Sequence, residues 1–348
     1  MIPLKNKQNN GCKGSVSLCV MLILLCFFMW VGYYLMVNPY PGQTQSKTTI
    51  EQEVLTYREK VPVYHPATEP VPEITEVPDN YADLFLSMRT HNQELFESGQ
   101  KELTGPAAYS FSNYRLRDYG FENETFGVVT IPKLGVEMPL FLGANHSNLN
   151  YGFCQMAETS LPIGGPNTNT VIAGHRGWNG LPFLRDIEEL EIGDSIFIEN
   201  PWEIMQYRVS QIDVVEPTNR DSILIQEGKE LITLLTCHPY LSRASRYLVY
   251  AERVPCDCLD SSNLPKTEQP SGFWDWKWVD RVEIVSSETG DIVESSQVQI
   301  FQELLIQRIG FWLCSLCTII AIFVIFQTIR KKTRKYNDGT CRQNQKEN

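Results

Sequence analysis

Two stretches of the chain carry apolar residues without a polar face. Val16–Val37 reads VSLCVMLILLCFFMWVGYYLMV and Ile309–Ile329 reads IGFWLCSLCTIIAIFVIFQTI, and neither holds a charge. At a rise of about 1.5 Å per residue, each makes a helix of about 30 Å, the thickness of a bilayer's hydrocarbon core. Lys5, Lys7 and Lys13 precede the first stretch; Arg330, Lys331, Lys332, Arg334 and Lys335 follow the second. Basic flanks of membrane helices face the cytoplasm. The expected topology therefore has cytoplasmic tails at 1–15 and 330–348, transmembrane helices at 16–37 and 309–329, and residues 38–308 outside the cell. A cleaved signal peptide is the rival for the first helix, but no small-x-small site follows it.

Between the two helices the patterning changes several times. Asn38–Asn80 is rich in Pro, Glu and Thr and reads as an extended stalk without a hydrophobic period. Within Tyr81–Leu103, Leu84, Phe85, Met88, Leu95 and Phe96 recur at near-helical spacing and predict one amphipathic helix. Stalk and helix together make a segment over 38–102. From Phe126 the pattern turns to short strands separated by Gly, Pro and Asn: FGVVTIP, VEMPLFLG, TNTVIAGHRG, DSIFIEN, IMQYRVSQIDVVEP, KELITLLTC and SRYLVYAERV. Such spacing predicts a mainly β fold, a barrel or sandwich, over 103–255. FLRDIEELEIGD predicts a short helix closed by Gly193. A linker with a tryptophan-rich segment occupies 256–308. Its Trp274, Trp276 and Trp278 alternate, so on a strand they share one face, packed as an added strand or set at a membrane interface.

Charge and cysteine usage narrow the function. The net charge is −11, and because basic residues collect in the two tails, the exterior is more acidic than the whole. Nucleic acid is thereby excluded as a partner class. Of ten cysteines, only Cys154, Cys237, Cys256 and Cys258 fall between the membrane helices, too few for a disulfide framework. A bridge from Cys154 to Cys256 or Cys258 is one arrangement they allow. The C-x-C pair at 256 and 258 lacks a second half, so no metal site and no cofactor are expected.

Three residues stand at strand ends. His175 closes the run TNTVIAG, Cys237 closes ITLLT, and Arg246 opens the strand after the HPY loop. If the strands flanking that loop form an antiparallel hairpin, Arg246 returns beside Cys237 on a barrel rim, where a rigid scaffold presents reactive groups to a cleft. A cysteine and an imidazole are a nucleophile and its acid/base for acyl transfer. A guanidinium, always charged and fork-shaped, can donate to the oxyanion or the substrate backbone. His238 would point to the opposite face from Cys237, so it is set aside as the base; His65 and His91 lie in the stalk and the helix, and His146 sits in a loop.

TLLTC at Thr233–Cys237 resembles the Thr-Leu-x-Thr-Cys signature of sortases, the cysteine transpeptidases of Gram-positive cell surfaces. TSLPIGGPNTNTVIAGHRG resembles the segment carrying the sortase histidine, and SRYLVYAER the strand beginning with its arginine. The resemblance spans about Phe126–Val254. It implies an eight-stranded sortase β-barrel with short helices, in which Cys237 is the nucleophile, His175 the acid/base, Arg246 the oxyanion or substrate clamp, and Thr236 a residue lining the site. It further implies cleavage of a Leu-Pro-x-Thr-Gly-like signal between Thr and Gly through a thioester that an amine resolves. The flanking membrane helices, TLLTCHPY and HRG look most like class C, the pilus-building type, in which a pilin lysine is the incoming amine. The implied partners are surface or pilin proteins bearing a C-terminal sorting signal. A cell-wall peptide amine is the alternative acceptor, and a non-catalytic, membrane-tethered binding protein the alternative of another class. One departure stands out: class C enzymes usually carry an Asp-Pro-aromatic lid, and this chain has no Asp-Pro dipeptide. TGPAAYSFSNYRLRDYGF occupies the corresponding place.

Overall fold

The computed structural model describes residues 10–38, 43–61, 81–100, 110, 112–256, 264–265, 284–290, 292–293 and 295–344. The chain divides into two compact units, one of residues 1–41 and 302–348, the other of 42–301. In the first, helix α1 (Asn10–Val37) and the greater part of helix α5 (Gln297–Asn344) are long and apolar enough to cross a membrane. They pack against each other. Trp30 Nε1 donates to Thr318 Oγ1 at 2.9 Å and its ring meets Phe311 edge-on, while Gly310 leaves room for Met36 and Tyr33. Small residues that let helices approach closely, with a polar pair between them, are the usual means of helix association in lipid.

The second unit is built on a closed barrel of eight strands in the order β1-β2-β3-β4-β7-β8-β6-β5. β1 (Thr125–Ile131) and β2 (Val136–Leu142) are antiparallel across a 3-10 turn closed by Gly135, whose φ of +64° suits glycine. β5 (Ser195–Glu199) pairs back onto β1 and closes the ring. The seven strand segments legible in the sequence include β4 (Thr168–Ala173), β6 (Ile204–Val215), β7 (Glu230–His238) and β8 (Ser245–Val254). The eighth, β3 (Phe153–Gln155), has three residues, too few to show an alternation. β4 runs parallel to β7 and every residue of β4 is buried, as expected where a parallel pair is covered on both faces. Phe126, Leu140, Phe153, Ile172, Leu234 and Val249 share the principal core.

Two expectations for the connecting segments need correction. Part of the supposed extended stalk is helix α2 (Gln43–Lys60), with Ile50, Val54, Tyr57 and Val61 buried. Those four positions form a narrow helical stripe, hidden in the sequence by the polar residues around them. Arg58 on the same helix donates to Glu199 and Glu137 of the barrel. Residues 62–80 of the stalk, and with them His65, lie outside the described residues. FLRDIEELEIGD yields a 3-10 turn at Ile187–Glu189 rather than a helix, although Gly193 does close the segment at φ +99°. The helix expected near 81–103 is α3 (Ala82–Ser98), ended by Gly99. Cys154 is a free thiol and fully buried, so it bridges neither Cys256 nor Cys258; Cys258 and the three alternating tryptophans lie outside the described residues.

After β8 the chain folds back onto the barrel. Strands β9 (Ile284–Val285) and β10 (Ile292–Val293) pair with each other. Between them Ser286 donates to Val214 O at 2.8 Å, and Ser287 N donates to Asp213 at 2.9 Å. Glu288 accepts from the amide of Glu216 at 2.8 Å.

Candidate active site

β4, β7 and β8 lie side by side, and their register decides what meets at their ends. Ala173 is opposite Leu235. β4 as a strand stops there, but the ladder continues: Gly174 N donates to Leu235 O at 3.1 Å, and Thr236 Oγ1 donates to Gly174 O at 2.8 Å. Further along, Arg176 Nη1 lies 2.8 Å from His238 Nδ1 and 3.4 Å from Cys237 O. His175 therefore stands level with Cys237. On the other side Cys237 is paired with Arg246. Strands are spaced about 4.8 Å apart and residues level with one another face the same way, so His175, Cys237 and Arg246 form one rung on one face of the sheet.

That face is apolar below the rung. Leu235, Val171, Ala173 and Leu248 share a cluster with Ile223, from the β6–β7 connection. Cys237 is half-buried and free. His175 is fixed by its neighbours: its ring stacks on Trp178, 4.5 Å between centroids, and meets Phe183 edge-on. Burial, then the charges of His146 and Arg243, hold its imidazole below the ordinary 6.5. Its Nε2 is buried and has no hydrogen-bond partner among the described residues. Gly174, just before it, has no space for a side chain, because a Cβ would lie 2.8 Å from the Phe153 ring. Arg246 Nη1 donates to the carbonyls of Ser245 and Arg243, at 3.0 and 3.3 Å. The guanidinium is thus folded along the β7–β8 loop, with other N–H groups left over to donate.

Thr236 has a different part from the one expected of it. Side chains alternate along a strand, so it points away from Cys237. It is 1% exposed, and its hydroxyl braces the Gly174 carbonyl instead of lining a groove. His238 is likewise on the far face and 1% exposed. His91, on α3, sits 6.3 Å from the ring of Tyr114. His146, in the one-turn helix α4 (His146–Leu149), is exposed and acts on His175 only through its charge.

Sequence reasoning missed what lies behind the rung. There Arg176 pairs with Glu188, and both are buried. Glu188 also accepts from Ser295 Oγ at 2.6 Å and from Ser296 N at 2.9 Å. Burial pushes the Glu188 carboxyl up, but its contact with His238, the charge of Arg176 and the Ser295 hydroxyl outweigh this and hold it at about 2. The one available signal was HRG itself, where a charged residue follows a buried run.

Comparison with known proteins agrees with this architecture. The model of the sortase domain matches residues 129–254. Sortase D of Bacillus subtilis (strain 168) is 29% identical over 131 residues, 37% of this chain and 63% of that protein. Sortase A of Bacillus anthracis is 26% identical over 133 residues, 38% of this chain and 61% of that one. The chain thus spans less than two thirds of the length of these curated relatives. Among solved structures, sortase C1 of GBS pilus island 1 superposes with a TM-score of 0.50 at 24% identity, over 59% of this chain and 98% of its own, a likeness of fold. Residues 129–254, the part of the barrel that carries the rung, thus match the sortase domain.

Proposed function

We propose that this chain is a membrane-anchored cysteine transpeptidase, with Cys237 as nucleophile, His175 as acid/base and Arg246 as the clamp on the oxyanion or substrate backbone. The observation that carries the reading is the shared rung of a free thiol, an imidazole and a guanidinium on one sheet face. The thiol sulfur attacks the threonine carbonyl of a Leu-Pro-x-Thr-Gly-like signal while its proton passes to the imidazole. Nitrogen–hydrogen donors of Arg246 stabilise the tetrahedral oxyanion. As the C–N bond breaks, the imidazole returns the proton to the leaving glycine amine, and a thioester remains on Cys237. An incoming amine attacks the thioester, forms the new amide and restores the thiol. Burial disfavours the charged form of His175, which suits it to accept the thiol proton as the sequence opens.

The acceptor in this reading is a pilin lysine. Support comes from the two apolar helices that flank the barrel and from the class C likeness of TLLTCHPY and HRG. The fold of the pilus-island sortase agrees with it. Both helices cross the membrane, the barrel is outside, and the basic ends are cytoplasmic. A second acceptor, a cell-wall peptide amine, is favoured by the missing Asp-Pro dipeptide. The two are separated by incubating the protein with a sorting-signal peptide and either a pilin domain or a cell-wall peptide. An isopeptide product by mass spectrometry identifies the first, an amide to the cell-wall peptide the second. Hydrolysis with neither amide contradicts transpeptidation.

A further inference from the structure

Each residue of the rung is followed in sequence by one whose side chain points to the opposite face: Arg176 after His175, His238 after Cys237, Tyr247 after Arg246. These three meet. The Arg176 guanidinium lies 2.8 Å from His238 Nδ1 and 5.5 Å from the centre of the Tyr247 ring, and the rings of His238 and Tyr247 are 5.7 Å apart. All three are 6% exposed or less. Glu188 anchors the group through Arg176, and its remaining lone pairs are taken by Ser295 and Ser296. Oε2 accepts from Ser295 Oγ at 2.6 Å and Ser296 N at 2.9 Å, and Oε1 from Ser296 N at 3.1 Å. Ser296 Oγ accepts in turn from Tyr240 N at 2.8 Å, in the loop between Cys237 and Arg246.

We propose that Ser295 and Ser296, which lie after the barrel and directly before helix α5, are positioning residues that hold His175, Cys237 and Arg246 in register through Glu188 and Arg176. The inference rests on the transpeptidase reading for the meaning of the rung. β4 ends at Ala173, so nothing in the regular ladder fixes His175. Its ring packs on Trp178 and Phe183 and its carbonyl accepts from Leu184 N at 3.0 Å, while its height along β7 is set by the Thr236–Gly174 bond before it and the Arg176 contacts after it. Arg176 stays in place because Glu188 does, and a buried carboxylate stays only while its oxygens have donors. Without the two hydroxyls, Oε2 loses the Ser295 donor and keeps only the amide of residue 296, whose segment loses its tie to Tyr240 N; the carboxylate then gains by turning toward water, and Arg176 is released from His238 and Cys237 O. The segment after the barrel, outside the matched residues 129–254, thus completes the site from behind.

The test uses the full-length protein in nanodiscs, comparing wild type, S295A/S296A, and S295T/S296T, which keeps both hydroxyls. Thioester formation with a sorting-signal peptide is followed by rapid-quench mass spectrometry, and backbone motion by amide hydrogen exchange. The alanine pair should lower kcat by about tenfold or more, with KM within about twofold, because placement is lost and binding is not. Exchange should rise by about tenfold in peptides covering 174–178 and 236–240 and stay unchanged in β1, β2 and β5. The threonine pair should restore both. Unchanged exchange at the rung, or a rise spread evenly over the barrel, overturns the proposal. If wild type forms no thioester, the transpeptidase reading fails, and the exchange data still decide whether the serines hold the rung.

Discussion

His175 and Cys154 show how surroundings set the chemistry of a side chain here. His175 titrates below 6.5 first because it is buried, then because His146 and Arg243 bring like charge. Removing a like charge favours the protonated form, so His146→Ala and Arg243→Ala should each raise its titration midpoint, measured by NMR on the Cys237→Ala background. Neither should bring it to 6.5, since burial is the larger cause. Cys154 has its thiol pushed up by burial, while Cys237 is accessible. Iodoacetamide at pH 8 should therefore modify Cys237 and leave Cys154 intact over the same period, read by peptide mapping. The rung residues were legible in the sequence because strand ends are marked by breaks, at GHRG and at CHPY. The brace of Thr236 was not, because the resemblance suggested a lining role and only strand alternation shows which way the hydroxyl points.

Among the elements, α2 changes the picture most. Its Arg58 is the partner of Glu199, which is fully buried, and burial pushes that carboxyl up despite the arginine. Arg58→Ala should cost about 3 to 5 kcal/mol by leaving a buried carboxylate alone, measured by urea unfolding of the barrel unit. The helix escaped sequence reasoning because one residue in every three or four is a weak signal within a Pro- and Thr-rich neighbourhood. The 3-10 turn at Ile187–Glu189 escaped for another reason: Glu188 faces inward to meet Arg176, an ion pair between distant segments that no local pattern records. That pair also sets a pH dependence. Glu188 is held at about 2 against an ordinary 4.5, so its stabilisation is complete above 4.5 and lost as pH falls toward 2. Glu188→Gln should be less stable than wild type by about 3 kcal/mol at pH 7, with the gap closing between pH 4.5 and 2 in acid-unfolding curves.

For the whole molecule, the barrel was the most legible part, since seven of its strands announce themselves by apolar runs and turn residues, and β3 is too short to do so. The segment after β8 was opaque, because among the described residues it reaches distant strands through single side chains such as Ser286, Ser287 and Glu288. The proposed topology makes its own prediction. In intact cells a membrane-impermeant maleimide should label Cys237 and fail to label Cys341 until the membrane is permeabilised; labelling of Cys341 from outside would reverse the orientation. The proposed activity depends on acyl transfer through Cys237. Incubating the full-length protein with a Leu-Pro-x-Thr-Gly peptide and recording intact mass should reveal an adduct equal to the acyl fragment, mapped to Cys237, released by hydroxylamine and absent from Cys237→Ala. Continued cleavage of the peptide by Cys237→Ala, with no adduct on the wild type, would contradict it.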